Sequence, residues 1–208
     1  LPEQADNLLL RYQAALDCSC CVIAGGSLPA GVDPKFFSQA IHLANQKKIP
    51  VLFDSAGIAL QHGLEAHPAV IKPNLHELSE LIGYRPASLV EACQAVRAIR
   101  DSYGCKVILT LGRVGAVASA GEQWYWIPPI NIPVRSTAGA GDGVLAGQAL
   151  AFSKGESFRQ GLCYGFALAG AILQTLGTAD FRLQDYQVLL SEIQVREIDL
   201  ERLPSLPL

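Results

Sequence analysis

Ser136-Thr137-Ala138-Gly139-Ala140-Gly141-Asp142-Gly143 runs directly into Val144-Leu145-Ala146-Gly147, and this is the stretch whose reading decides most. Its small residues strip side chains from a loop just ahead of a helix. Successive backbone N–H groups are then free to face an anion, and the helix dipole adds to the attraction. Asp142 at the helix start is placed to accept a proton from a hydroxyl while those N–H groups hold phosphoryl oxygens, the combination that phosphoryl transfer needs. Taken alone, the same string also reads as a helix cap beside a tight turn, so its neighbours have to decide.

Upstream, short apolar runs alternate with helical patterns. Residues 3–16 read as a helix. Cys20-Cys21-Val22-Ile23-Ala24, closed by Gly25-Gly26, has the form of a buried strand ended by a turn. Asp33-Pro34 is a helix-start signal, followed by Phe37, Ala40, Ile41 and Ala44 on one face. Further strands are predicted at Pro50–Asp54, Ala69–Lys72 and Lys106–Thr110. Between them lie helices over Ile58–Glu65, after Asn74, and along the stripe of Leu89, Ala92, Cys93, Val96 and Ile99. Residues 116–134 read as a hairpin around Gly121-Glu122, and the chain from Gly141 onward as mostly helical. This alternation predicts a mainly parallel sheet with helices on both faces, whose ligand sits beyond the carboxyl ends of the strands. The loops at Gly25-Gly26-Ser27, Asp54-Ser55, Lys72-Pro73-Asn74, Thr110-Leu111-Gly112 and 138–142 should therefore converge.

Two of these loops add chemistry. In Lys72-Pro73-Asn74-Leu75-His76-Glu77-Leu78, Asn74 and Glu77 lie three apart and share a helix face. Oxygen ligands of this kind suit water ordered around Mg²⁺, but Asn-x-x-Glu is also a capping-box pattern. Thr110-Leu111-Gly112-Arg113-Val114-Gly115-Ala116 either wraps phosphates or ribose or simply turns into the hairpin.

Composition narrows the class. Of 208 residues, half are hydrophobic and 17% charged, with a net charge of −3, so a large core is affordable and a nucleic-acid-binding face is not indicated. The longest uncharged stretch, residues 160–179, is too polar for a membrane span and reads as a core helix. Of the six cysteines, Cys18 and Cys21 have Cys-x-x-Cys spacing, but no second pair or His accompanies them. All six read as reduced thiols of a cytoplasmic protein. His42, His62 and His67 lack partners at ligand spacing, and Trp124-Tyr125-Trp126 reads as strand packing.

In their order and spacing, Gly25-Gly26-Ser27-Leu28-Pro29, Lys72-Pro73-Asn74-x-x-Glu77, Thr110-Leu111-Gly112-x-x-Gly115 and Ser136–Asp142 resemble the ribokinase-like (PfkB) carbohydrate kinases, in particular their 1-phosphofructokinase and tagatose-6-phosphate kinase branch. The resemblance implies a three-layer α-β-α fold and transfer of the ATP γ-phosphoryl group to a hydroxyl of a sugar phosphate, with fructose 1-phosphate the first expectation and fructose 6-phosphate or tagatose 6-phosphate the alternatives. It implies Asp142 as base and the N–H groups of Gly139, Ala140 and Gly141 as anion hole. Asn74 and Glu77 would act on Mg²⁺ through water. Thr110, Gly112, Arg113 and Gly115 would border ATP, Gly177 its adenine, and Ser27 the sugar. His76 stands where relatives often carry Lys or Arg, and Gly143 replaces a common Ser or Ala. The family's N-terminal third, with its first strands, a sugar-contact motif and a lid, has no counterpart in this sequence. The expectation is thus a single domain over residues 1–208 forming the C-terminal two thirds of a longer kinase, with a homodimer an option for the full-length form and a non-catalytic nucleotide-binding remnant the alternative.

Overall fold

The computed structural model describes residues 2–200 and 208. It opens with helix α1 (Pro2–Leu16) and strand β1 (Val22–Gly25). There follow α2 (Phe36–Gln46), β2 (Val51–Asp54), α3 (Gly57–Glu65), β3 (Val70–Ile71), α4 (Leu75–Ile82), α5 (Leu89–Tyr103) and β4 (Lys106–Thr110). A 3₁₀ turn (Gly112–Val114) leads to β5 (Ala116–Ala120) and β6 (Gln123–Ile127). The chain then continues through α6 (Ala140–Lys154), α7 (Phe158–Leu173), α8 (Leu183–Glu192) and β7 (Arg196–Ile198). The strands form one sheet in sequence order, parallel from β1 to β4 and antiparallel from β4 to β7.

Alternation along the central strands divides the core between two helix layers. Val51, Phe53, Ile71, Val107 and Leu109 face one side, where they pack with Ile41, Leu64, Leu78 and Val96 from α2 to α5. Leu52, Val70 and Ile108 face the other, against Val144 and Leu145 of α6 and Leu162 and Phe166 of α7. Leu189 of α8 closes on Ala167 and Ala171 of α7. Strands covered on both faces need apolar residues at every position, which is why they read as continuous runs rather than alternating ones. Among the described residues no helix is long and apolar enough to cross a membrane.

Local boundaries depart from expectation where backbone hydrogen bonds are redirected. Asp33 accepts the Lys35 N–H at 2.8 Å, as a cap would, yet regular helix begins only at Phe36. The third strand shrinks to Val70–Ile71, although Lys72 N–H still reaches Phe53 O and Thr110 N–H reaches Pro73 O. Strand β7 was not foreseen. Its sequence, Arg-Glu-Ile, is too short and charged to show a period, and it forms only because β6 offers an open edge.

The α6–α7 contact depends on glycines. A Cβ on Gly147 would lie 2.1 Å from the Gly165 amide nitrogen, and one on Gly165 would lie 2.5 Å from Val144 O. At Gly143, a Cβ would come within 2.9 Å of Ile172 Cδ1 and 3.2 Å of the Ala169 nitrogen, so this departure from the family pattern admits close helix packing. Gly147→Ala should therefore force the helices apart and cost about 1–3 kcal/mol, read as a lower denaturation midpoint in urea.

Candidate active site

The cleft begins where the parallel strands end. Gly25 of β1 pairs with Asp54 of β2, and a Cβ on Gly25 would strike Asp54 O at 2.6 Å. Gly26 N–H donates to Asp54 O at 2.9 Å, and Ser55 Oγ donates to Gly26 O at 3.0 Å. These bonds tie the two strand ends together and set the loop from Ser27 onward as one wall. The open cleft has a volume of about 540 Å³, and its polar lining includes Ser27, Asp54, Ser55, Glu77 and Asp142. Three residues singled out from sequence, far apart in the chain, thus share one cavity.

Beneath it lies an ion pair to which sequence reasoning assigned no role. Lys72, only 5% exposed, places its Nζ 2.9 Å from Asp54 Oδ2. Burial pushes the Asp54 carboxyl above its ordinary range. Lys72 opposes that push, and the nearby Asp142 charge adds to it. A Cβ on Gly141 would fall 2.9 Å from Lys72 Nζ and 3.7 Å from Asp54 Oδ2. The start of α6 therefore sits directly on this pair. The signal was present in the sequence, as a charged residue ending an apolar strand run at each of Asp54 and Lys72.

The α4 start carries the capping box in full. Asn74 Oδ1 accepts the N–H groups of His76 and Glu77, both at 2.9 Å, and Glu77 Oε2 accepts the Asn74 N–H at 2.8 Å. Capping and a role in the cleft do not exclude each other, because Glu77 also lines the cavity. Burial raises the Glu77 carboxyl, the Asn74 N–H bond lowers it, and Asp54 raises it again. His76 points away to Glu80 at 3.3 Å and is exposed.

At α6, Gly139 is the N-cap with φ 83°, and no side chain caps the helix. The Ala140 N–H makes a long 3.4 Å bond to Thr137 O. Among the described residues no backbone carbonyl accepts the N–H groups of Gly139, Gly141 or Asp142. Unpaired donors at the positive end of a 15-residue helix fit an anion.

The residues expected along the nucleotide do not line the cleft. Thr110 forms a parallel bridge with Asn74. Gly112 and Arg113 belong to the 3₁₀ turn. Gly115, at φ 107°, has an evident structural role, since a Cβ there would meet Ile127 O at 2.3 Å. Gly177 precedes Ala179, whose nitrogen a Cβ on Gly139 would meet at 2.5 Å, so the 177–180 loop rests on the α6 start. Among the described residues no group of three His, Cys, Asp or Glu is arranged to ligate a metal directly.

Comparison with known proteins agrees with this arrangement. The pattern of the pfkB family carbohydrate kinases matches residues 4–185. The chain belongs to the pfkB family. It is 33% identical over 177 residues to a 1-phosphofructokinase of Haemophilus influenzae, covering 84% of this chain and 56% of that protein. Phosphofructokinase-2 from Escherichia coli, solved with substrates and products, superimposes with a TM-score of 0.80 at 27% identity, over 90% of this chain and 62% of that one. A tetrameric inhibited form of the same enzyme gives 0.79 at 25%, over 97% and 65%. The chain thus spans between about half and two thirds of the length of these pfkB relatives.

Glutamine can take glutamate's place in a capping box, which separates the two roles of Glu77. Asn74→Ala should cost about 1 kcal/mol of stability, whereas Glu77→Gln should retain the cap. The raised Glu77 carboxyl means that its ionisation costs stability as pH climbs through the folded-state value, while the protonated form at low pH carries no such cost. The stability of Glu77→Gln relative to the parent chain should therefore improve between about pH 4 and about pH 7, as measured by urea denaturation at both.

Proposed function

We propose that this chain carries the nucleotide site and the catalytic base of an ATP-dependent kinase that phosphorylates a hydroxyl of a sugar phosphate, with fructose 1-phosphate as first choice and fructose 6-phosphate or tagatose 6-phosphate as alternatives. The observation that carries the reading is the position of Asp142. It stands in the first turn of an uncapped glycine-led helix, at the rim of a cleft it shares with Ser27 and Glu77.

ATP bound with Mg²⁺ supplies the phosphoryl group and a good leaving group. Asp142 takes the proton from the acceptor hydroxyl as that oxygen becomes a nucleophile. The N–H groups of Gly139, Ala140 and Gly141 face the charge that grows on the transferring group, and the helix dipole supports them. Releasing the Ala140 N–H from its long bond to Thr137 costs little. Asn74 and Glu77 would hold the metal through water: the second Glu77 oxygen, not used in the cap, would accept from metal-bound water, and the Asn74 amide N–H groups would donate to a phosphate oxygen. Thr110, Gly112, Arg113 and Gly115 border the nucleotide and Gly177 its base, while Ser27 meets the sugar. The environment is cytoplasmic in this reading, and the full-length form is a homodimer.

A second reading, a nucleotide-binding unit without turnover, draws on one feature of the cleft. Its lining holds Asp54, Glu77 and Asp142 but no Arg or Lys, and the adjoining Lys72 is already paired. An acceptor phosphate would need cations that this lining does not supply.

The test is Mg²⁺-dependent phosphorylation of the three sugar phosphates by the chain, alongside ATP binding by calorimetry. Asp142→Asn should lower turnover by about 10²–10⁴-fold, the usual contribution of a general base, with ATP affinity held within a few-fold. Unchanged turnover in that variant would remove Asp142 from the mechanism. Binding without turnover in the parent chain selects the second reading.

A further inference from the structure

Three carboxylates meet at the cleft, each from a different element. Asp54 ends β2, Glu77 lies in the first turn of α4, and Asp142 lies in that of α6. Among the described residues no other ionisable side chain lines the cleft. The buried Lys72 ammonium adjoins them, and among the described residues its one ion pair is with Asp54, at 2.9 Å. A Cβ on Gly141 would fall 2.9 Å from Lys72 Nζ, so the ammonium lies against the residue just before Asp142. Burial raises the Asp54 carboxyl, Lys72 lowers it, and the Asp142 charge raises it again.

Granted the role of Asp142 as base, on which this step rests, we propose that Asp54 is a positioning residue: it holds the Lys72 ammonium at the strand ends and so leaves the Asp142 carboxylate unpaired to accept a proton.

The backbone explains why Asp54 holds the ammonium. Asp54 O accepts the Gly26 N–H at 2.9 Å, and Phe53 O accepts the Lys72 N–H at 3.2 Å. The two side chains thus project from neighbouring strand ends whose spacing the ladder fixes. Asp142 sits on a helix and has no such tie to Lys72. Yet a lysine ammonium carries three donors on a flexible stem. Deprived of Asp54 and shut away from water, it turns to another carboxylate. One Glu77 oxygen already accepts the Asn74 N–H at 2.8 Å, which leaves Asp142 as the freer partner. A carboxylate paired with an ammonium is a weaker base, because the opposite charge favours its ionised form.

The experiment is a crystal structure of Asp54→Asn, with steady-state kinetics on the three sugar phosphates. Lys72 Nζ should turn to within about 3 Å of an Asp142 carboxyl oxygen, the usual reach of such a bond. The kcat should fall by at least about tenfold, part of the 10²–10⁴-fold a general base contributes, while KM for ATP stays within a few-fold. Asp54→Glu, which keeps the charge, should restore most of kcat. An ammonium still turned toward position 54, or turned toward Glu77, overturns the proposal. Loss of fold in Asp54→Asn, read by circular dichroism, overturns it too. If Asp54→Asn/Lys72→Met then folds, the ammonium found no second partner; if it does not, the pair is a need of the fold. A parent chain without turnover, in which Asp54→Asn nonetheless shows the new pair, supports the positioning and tells only against the kinase reading.

Discussion

The buried ammonium of Lys72 and its partner Asp54 constrain everything around them. Asp54 ends β2 and Lys72 directly follows β3, at the edge of the sheet where the cleft begins. With Lys72 almost wholly buried and 2.9 Å from Asp54, removing either partner would strand a charge in a poorly solvated site. The pair also dictates what can sit on top of it. A Cβ at position 141 would lie 2.9 Å from the Lys72 amine, so a side chain there would push the ammonium away from Asp54, and glycine in the first turn of α6 lets the pair stand. A residue in β2, a residue after β3 and the first turn of α6 are thereby placed as one unit.

The second constraint is close helix approach. α6 enters the site from the opposite layer to α4, and its position is set by backbone-to-backbone contact with α7 at Gly147 and Gly165. At its start, Gly139 adopts a left-handed conformation and lies against Ala179, so the loop ahead of α8 helps hold the turn. Glycine is needed at 139 for both its positive φ and its lack of Cβ. The small-residue composition that suggests phosphate binding therefore has packing reasons as well, and both uses agree.

Much of this was legible from residues alone. Strands β2 to β4 showed as apolar runs because they are covered on both faces, whereas β1 at the sheet edge leaves Ile23 exposed, and the Leu89–Ile99 stripe fell buried as its period implies. The Asn74–Glu77 pair left two readings open, and the geometry lets both stand: a complete capping box whose glutamate also reaches the cleft. Less legible were the short features. β7 exists only through pairing with β6, and a three-residue charged segment has no pattern of its own. Lys72 and Asp54 were visible as strand-ending charges, but a sequence does not say that two such ends meet.

What the sequence by itself determined was the α/β class, the order of its layers and the family, because periodicity and loop chemistry are local and are written in consecutive residues. Only the tertiary structure decided which loops form one cavity, and that Gly115 serves a close pass by Ile127 rather than standing free. Those outcomes depend on distances between residues remote in the chain. Such distances follow from packing the whole core at once.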